Sequence, residues 1–312
     1  MRTSLKIATQ MPLPLLDPVR KQFPEVEIVS IPSEGPVPED LGAQVLLTMP
    51  WGTPNLRDVL ATGIEWVHAY GTGVNGFPFE LLEGVPLTCS RGASAKAISE
   101  WVMAVLLAAE KRLPESWLDE PPERWNMAEL GSLEGRRLAL IGFGGIAQAI
   151  ARRALPFDMK VAALRRTAKP SPIPEVSLVS DLETLLRGAD HVVVAAPETP
   201  ATRHLLNDES LAWMGPGAHL VNIARGGLVD QEALRRALDD GRVGLATLDC
   251  VEPEPLPEGH WLYSHPRVRL TPHISWAGSA SHAGLMERFC ENFARHLAGE
   301  PLDFVVDPDE QY

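Results

Sequence analysis

Short apolar runs recur through the first ninety positions at Leu5–Ala8, Val26–Val29, Val45–Thr48, Trp66–Ala69 and Pro86–Thr88. Helix-length stretches such as Asn55–Ala61 lie between them, and Pro32, Gly35, Pro36 and Pro38 mark a surface loop. Apolar runs alternating with helical stretches predict βα units and hence a parallel sheet. Ser94–Leu113 has another pattern. It is rich in Ala, Leu and Met, lacks Gly and Pro, and stops at Pro114, which predicts one long helix with Ser94 as its N-cap. Its near-continuous apolar middle predicts burial on most sides. Residues 114–135, rich in Pro, Glu and Trp, predict a surface connection with a short helix.

A second set of runs begins at Leu138–Ile141 and continues with Val161–Leu164, His191–Ala196, His219–Ile223, Leu245–Asp249 and Val268–Thr271. Asp181–Arg187 and Gln231–Asp239 are helical segments among them. Six strands with helical crossovers match the count of a doubly wound dinucleotide fold. Near the C-terminus Leu285, Phe289, Phe293 and Leu297 recur every fourth residue, and Gly299 and Pro301 close that helix.

Composition narrows the function. The chain has 312 residues, 45% hydrophobic and 22% charged, which suits about two globular domains and excludes general disorder. The longest apolar run, Trp101–Ala109, is under half of the ~20 residues a membrane span requires. Met1–Ser4 leads into the first strand without a signal-peptide pattern, so a cytoplasmic protein is expected. Cys89, Cys250 and Cys290 show no Cys-x-x-Cys spacing and fit neither a disulfide framework nor a zinc motif, so no metal site is expected. A net charge of −13 disfavours nucleic acid and anionic membranes as partners. Any anionic ligand therefore needs a local positive field.

Such a field has a candidate. Leu138–Ile141 runs into Gly142-Phe143-Gly144-Gly145-Ile146-Ala147, a Gly-x-Gly-x-x-Ala turn between strand and helix. Gly142 permits the tight turn, Gly144 lets backbone approach a pyrophosphate, and Ala147 allows close helix–strand packing. A site for NAD usually places an acid about 20 residues on, to bind the ribose 2′-hydroxyl. Here Arg165 stands 18 residues past Ala147, followed by Arg166 and Thr167, and no acid occurs between Met159 and Pro174. That basic stretch points to the 2′-phosphate of NADP, with NAD as the weaker alternative.

Three further segments follow in order: Val221–Asp230 (VNIARGGLVD), Leu248–Pro255 (LDCVEPEP) and Leu270–Trp276 (LTPHISW). With Pro197–Asn207 and Gly299–Asp307, they resemble the D-isomer-specific 2-hydroxyacid dehydrogenase family. The short length, Arg165-Arg166 and Trp276 are similar to glyoxylate/hydroxypyruvate reductase-type members that use NADPH. The resemblance implies two doubly wound parallel-sheet α/β domains, with a Rossmann cofactor domain (96–284) inserted in a flavodoxin-like substrate domain (1–95 plus 285–312) and a cleft between them. It implies a homodimer through the cofactor domain.

It also implies a catalytic set of Arg225, Glu254 and His273. Arg225 and His273 each follow an apolar strand, where α/β sites form. Arginine offers a planar fork to a carboxylate, and a histidine backed by a carboxylate can donate a proton. Glu252 lies two residues from Glu254, and spacing alone would allow either. Pro197, Thr202, Ile223, Ala224 and Asp249 are implied at the cofactor, Asp249 near the nicotinamide carboxamide. Tyr70–Gly76 resembles the family's substrate loop, with Thr72 and Gly73 holding a carboxylate by backbone N–H groups. Asn75 stands where the family commonly has Asp. Among the aromatics Trp51, Tyr70 and Trp276, only Trp276 is assigned to the substrate pocket. His260, His265 and His282 read as ordinary structural or surface histidines. The function expected is NADPH-dependent reduction of a small 2-keto acid to the D-2-hydroxy acid. The alternatives are a dinucleotide-sensing binding protein without turnover and a D-3-phosphoglycerate dehydrogenase-like enzyme.

Overall fold

The computed structural model describes residues 5–167 and 169–309, so the reading of Met1–Ser4 lies outside the described residues. The chain falls into two units, one running to Ser94 and resuming at Gly278, the other Ala95–Ala277. In the first unit β1 (Lys6–Thr9), β2 (Glu27–Ser30), β3 (Val45–Thr48), β4 (Trp66–Ala69) and β5 (Leu87–Cys89) form a parallel sheet in the order β2-β1-β3-β4-β5. This is the flavodoxin-type strand order. Helices α1 (Asp17–Gln22) and α2 (Leu56–Ala61) belong to the same unit. All four residues of β3 and of β4 are buried, as expected of central strands covered on both faces.

The second unit contains α3 (Ala95–Lys111), β6 (Arg137–Ile141), α4 (Gly145–Ala154), β7 (Lys160–Leu164), β8 (Ser177–Val179), α5 (Leu182–Leu186), β9 (His191–Val194), α6 (Asp208–Ala212), β10 (Ala218–Asn222), α7 (Gln231–Asp239), β11 (Val243–Leu248) and β12 (Val268–Leu270). Its strands form one parallel sheet in the order β12-β11-β10-β9-β6-β7-β8. The expected count was six. The seventh, β8, is a three-residue edge strand with no buried residue, too short and too polar to show in the apolar pattern. Strand order reverses between β6 and β9, and ligands of doubly wound sheets bind at such a switch point.

One expectation about the linking region is corrected and one holds. Helix α3 buries Ile98, Ser99, Val102, Met103 and Leu106 and exposes only the stripe Lys96, Glu100 and Ala104, the rest being half-buried, as its apolar middle predicts. Its buried face shares a core cluster with Ala147, Ile150, Ala151 and Ala154 of α4, whose small side chains allow close packing. Residues 114–135 form turns and irregular chain without the expected short helix.

The chain returns to the first unit with α8 (Ser279–Ala298), so the division falls at Gly278, the N-cap of α8, rather than at 285. Leu285, Phe289 and Phe293 are buried as the four-residue repeat predicts, whereas Leu297 is exposed. Phe289 and Phe293 stack on Trp66 of β4 with ring centroids 5.5 and 6.4 Å apart. Gly299 caps the helix in the left-handed region (φ +70°), and its N–H bonds the Arg295 and His296 carbonyls. Beyond it Val305 bridges Thr88 antiparallel, closing the edge at β5.

Each unit buries a neutral histidine. His68 of β4 meets Thr88 Oγ1 at 2.7 Å and Ser90 Oγ at 3.0 Å. His219 of β10 meets Thr247 Oγ1 at 2.8 Å and faces His191 at 3.4 Å. Burial pushes both down to about 3. Unfolded, each takes up a proton below about pH 6.5, so the unfolded state binds more protons and stability falls as pH drops from about 6.5 towards 3. Each contributes up to about 1.4 kcal/mol per pH unit there. Denaturant unfolding at pH 7 and pH 5 should therefore show a lower midpoint at pH 5. His219→Gln should shrink that difference, and an unchanged difference would refute the assignment.

Candidate active site

The turn after β6 is shaped for a phosphate. Gly142 adopts φ +91°, and a Cβ there would sit 2.8 Å from the Ala195 carbonyl oxygen and the Ala196 nitrogen of the loop after β9. Only glycine allows this approach, and it occurs at the switch point. Asp181, Asn207 and Asp230 cap α5, α6 and α7 through side-chain oxygens. The N-cap of α4 is Gly144, which has no side chain to do so, and Gly144 and Gly145 are exposed. The first N–H groups of α4 are therefore free for an external anion. Phe143 is buried beneath the turn, Ile146 is half-buried, and Ala147 packs fully into the core. These residues fit a dinucleotide pyrophosphate.

At the end of β7, Arg165 is held by its own loop. Its Nη2 donates to the carbonyls of Lys169 and Pro170, while its buried Nε has no acceptor among the described residues. Arg166 and Thr167 beside it are exposed. An ordered guanidinium with a donor to spare is a group able to meet an anion. Pro197 and Thr202 sit in the loop after β9. There the Thr202 hydroxyl donates to the Pro197 carbonyl (2.8 Å) and accepts from the Thr199 N–H (2.8 Å), which holds the loop in shape.

Arg225, Glu254 and His273 follow β10, β11 and β12, three neighbouring strands, at their C-terminal ends. His273 Nδ1–H donates to Glu254 Oε2 at 2.8 Å, and the other Glu254 oxygen accepts from the Val251 N–H at 3.0 Å. Both side chains are partly open to solvent, at 35% and 38%. This arrangement leaves Nε2 of His273 to exchange a proton with a bound oxygen. Glu252 is elsewhere: its carboxylate takes a bidentate pair from Arg203 at 2.9 Å. Of the two acids that spacing left open, Glu254 meets the histidine.

Buried groups hold this set in place. His273 itself lies in the left-handed region, at φ +53°. Its N–H bonds the Asp249 carbonyl at 2.9 Å, and the buried Asp249 carboxylate accepts from Thr271 Oγ1 (2.6 Å), Ile274 N–H (2.8 Å) and Ser275 N–H (2.9 Å). Asp249 thus fixes the turn that presents His273. Trp276 Nε1 donates to the His273 carbonyl at 2.9 Å, so this aromatic also braces the turn. Asn222 accepts from the Ala224 N–H and donates to the Arg225 and Cys250 carbonyls, while the buried Ile223 packs in the core. A Cβ at Gly226 would collide with the Val251 carbonyl and the Glu252 amide, so glycine there lets the Arg225 turn abut the Glu254 loop. Arg225 Nη1 also donates to the Ala224 carbonyl at 2.7 Å.

In the first unit, the loop after β4 is held at Gly71, whose carbonyl accepts the Ser90 N–H at 2.7 Å. The N–H groups of Thr72 and Gly73 find no acceptor among the described residues and are available to a carboxylate. Asn75 is exposed. Tyr70 is buried and stacks on His282, with its hydroxyl 3.2 Å from Nδ1. Trp51 is exposed. His260 caps a short turn through Nδ1, and His265 faces Asp239, so neither joins His273.

Comparison with known proteins places this geometry in a family. Residues 103–275 match the domain profile described as D-isomer specific 2-hydroxyacid dehydrogenase, NAD binding domain. The chain belongs to the D-isomer-specific 2-hydroxyacid dehydrogenases. The glyoxylate reductase of Thermococcus onnurineus is 37% identical across 79% of this chain and 77% of its own length. The hydroxypyruvate reductase of Thermotoga maritima is 33% identical across 83% and 80%. A D-isomer specific 2-hydroxyacid dehydrogenase from Xanthobacter autotrophicus Py2, solved in complex with NADPH and MES, aligns at a TM-score of 0.85 and 26% identity, covering 99% of this chain and all of that one. Among the described residues, no helix of this dehydrogenase is long and apolar enough to cross a membrane.

Cys250, Glu254 and His273 form a group of donor atoms within 4.8 Å of one another, which the cysteine spacing does not show. β11 and β12 bring them together, and no local motif announces it. Asn222 and Asp249, whose bonding shapes the site, were visible only as polar residues ending strands.

Proposed function

We propose that this dehydrogenase reduces a small 2-keto acid of the glyoxylate or hydroxypyruvate kind to the D-2-hydroxy acid, with NADPH as the preferred cofactor. The observation that carries the reading is the His273–Glu254 pair at 2.8 Å, brought together from the ends of β12 and β11, the two strands beyond the one that positions Arg225. The reduced nicotinamide, when bound, supplies the hydride. Arg225 holds the keto acid through its carboxylate and carbonyl oxygens, since its charge persists at all working pH and its fork matches a carboxylate. His273 gives its Nε2 proton to the carbonyl oxygen as hydride reaches the carbon, and Glu254 stabilises the imidazolium before transfer. The Thr72 and Gly73 N–H groups are a further set of donors suited to the carboxylate. The relatives named glyoxylate reductase and hydroxypyruvate reductase support the substrate class.

The NADPH preference rests on Arg165 and Arg166. A 2′-phosphate carries nearly two charges, and a charge-assisted hydrogen bond contributes roughly 1.5–3 kcal/mol, less at an exposed loop. The solved relative complexed with NADPH supports the same choice. A homodimer through the second unit is the assembly we infer, because Trp117 and Trp125 of that unit are 71% and 73% exposed.

His273→Ala should lower the turnover of glyoxylate or hydroxypyruvate reduction at least ~10²-fold with NADPH affinity retained. Glu254→Gln should also lose most turnover, whereas Glu252→Ala should keep it. Near-parental turnover of His273→Ala would refute the assignment, and chiral analysis showing an L-product would refute the stereochemistry.

Steady-state kinetics with both cofactors should show a preference for NADPH of about 10- to 100-fold in kcat/KM. Arg166→Ala should weaken NADPH use without improving NADH use, and Arg165→Asp should narrow or reverse the preference. A parent enzyme that prefers NADH would overturn the reading. Sedimentation equilibrium should give a dimer, and Trp117→Asp with Trp125→Asp should shift it to monomer. A monomeric parent protein would refute the dimer.

A further inference from the structure

Cys250 is a buried group of the site to which proton and hydride transfer gives no part. It follows Asp249 at the end of β11, and its sulfur lies among the Glu254 and His273 donor atoms, all within 4.8 Å of one another. A sulfur, an imidazole nitrogen and a carboxylate oxygen together make the donor set of a borderline or thiophilic cation. Zinc accepts this mixture, whereas magnesium and calcium favour oxygen alone. A tetrahedral zinc ion, with bonds of about 2.0–2.3 Å, needs donors roughly 3.3–3.8 Å apart. Glu254 and His273 are partly solvent-exposed, so an adjustment of about 1 Å is within their reach. Three protein donors leave a fourth position for water, as in zinc sites that remain open.

We propose that Cys250, Glu254 and His273 form a site for a thiophilic divalent cation, zinc by its donor set, and that its occupancy switches the dehydrogenase off. On binding, the Cys250 thiol releases its proton to solvent and its sulfur bonds the cation. The Glu254 oxygen and His273 Nδ1 become ligands in place of their shared hydrogen bond, and the Nδ1 proton leaves to solvent. The neutral imidazole keeps its one proton on Nε2, and the bound cation prevents it from taking up the second that makes it an acid for the keto oxygen. Burial holds the Cys250 thiol protonated well above the ordinary thiol range, and the Arg225 charge that reaches it opposes the cation, so binding is expected to be weaker than at a site built on a preformed thiolate. The inhibitory half rests on the function proposed above. Binding itself does not.

The test uses the full-length protein freed of metal by a chelator. Titration with Co²⁺ should bring up a thiolate-to-cobalt charge-transfer band in the near ultraviolet, saturating at one equivalent. Cys250→Ala should abolish the band, and His273→Ala should weaken binding at least 10-fold. Zn²⁺ should inhibit keto-acid reduction reversibly, and Cys250→Ala, with turnover near the parent's, should need at least 10-fold more Zn²⁺ for half inhibition. Cys250→Val is the second variant, should the alanine protein fold poorly. A band that persists in both Cys250 variants, or no band in the parent protein, overturns the site. Stoichiometric binding without loss of turnover overturns the inhibitory role. A Cys250-dependent band in a protein inactive even when metal-free upholds the site and refutes the proposed function instead.

Discussion

One line of strand pairing carries the chemistry of the second unit. Leu164, Ile141, Val194, Asn222, Leu248 and Leu270 are successive Cα partners across β7, β6, β9, β10, β11 and β12. Because every strand runs the same way, the residues just past this line emerge on one edge. Arg165, Gly142, Ala195, Ile223, Asp249 and Thr271 are those residues, with Arg225 and His273 two further along their loops. A slip of one residue in any pair would turn each side chain to the opposite face. Buried apolar residues on both faces of β6, β9 and β10 oppose such a slip, so core packing and site geometry are one constraint.

The line delivers the loops to one edge, and buried polar groups then set their final shape. Asp249 receives three donors from residues 271–275, and its own carbonyl receives the His273 N–H. An uncompensated buried carboxylate would cost several kcal/mol. These bonds repay that cost while holding His273 at a positive φ that a non-glycine residue seldom adopts. Asn222 performs a similar task for Arg225, joining the end of β10 to the Arg225 and Cys250 carbonyls. Two residues with no part in the proposed reaction thereby position two that the proposal uses.

The sequence made the strands legible because central parallel strands are apolar on both faces and stand out as runs. It hid β8, whose Ser-Leu-Val is partly exposed at the sheet edge. The apolar middle of α3 made its burial on most sides readable, with Ala104 the one apolar residue on its exposed stripe. The glycine turn was readable because its spacing is a local steric demand, met by the 2.8 Å approach at Gly142. Arg225, Glu254 and His273 came from resemblance. The choice between Glu252 and Glu254 had no periodicity to settle it, because both lie in irregular chain after β11. Cys250 beside His273 is a product of strand pairing between residues 23 positions apart, which no short motif reports.

Charge explains why the anion-facing groups are built as they are. A protein with a net charge of −13 repels a dinucleotide phosphate or a keto acid at long range, and screening shortens that repulsion to about 8 Å at physiological ionic strength. Attraction has to come from groups within a few ångströms that lose little entropy on binding. Arg165 meets this by anchoring one nitrogen on two carbonyls of its own loop, so that its guanidinium is ordered before any ligand arrives. Arg225 is likewise tied to the Ala224 carbonyl, and the α4 amides are fixed by the helix itself. Arg165, Arg225 and the α4 amides are thus each pinned by backbone, so the local positive field that a protein of this net charge needs is set by the fold rather than by mobile side chains.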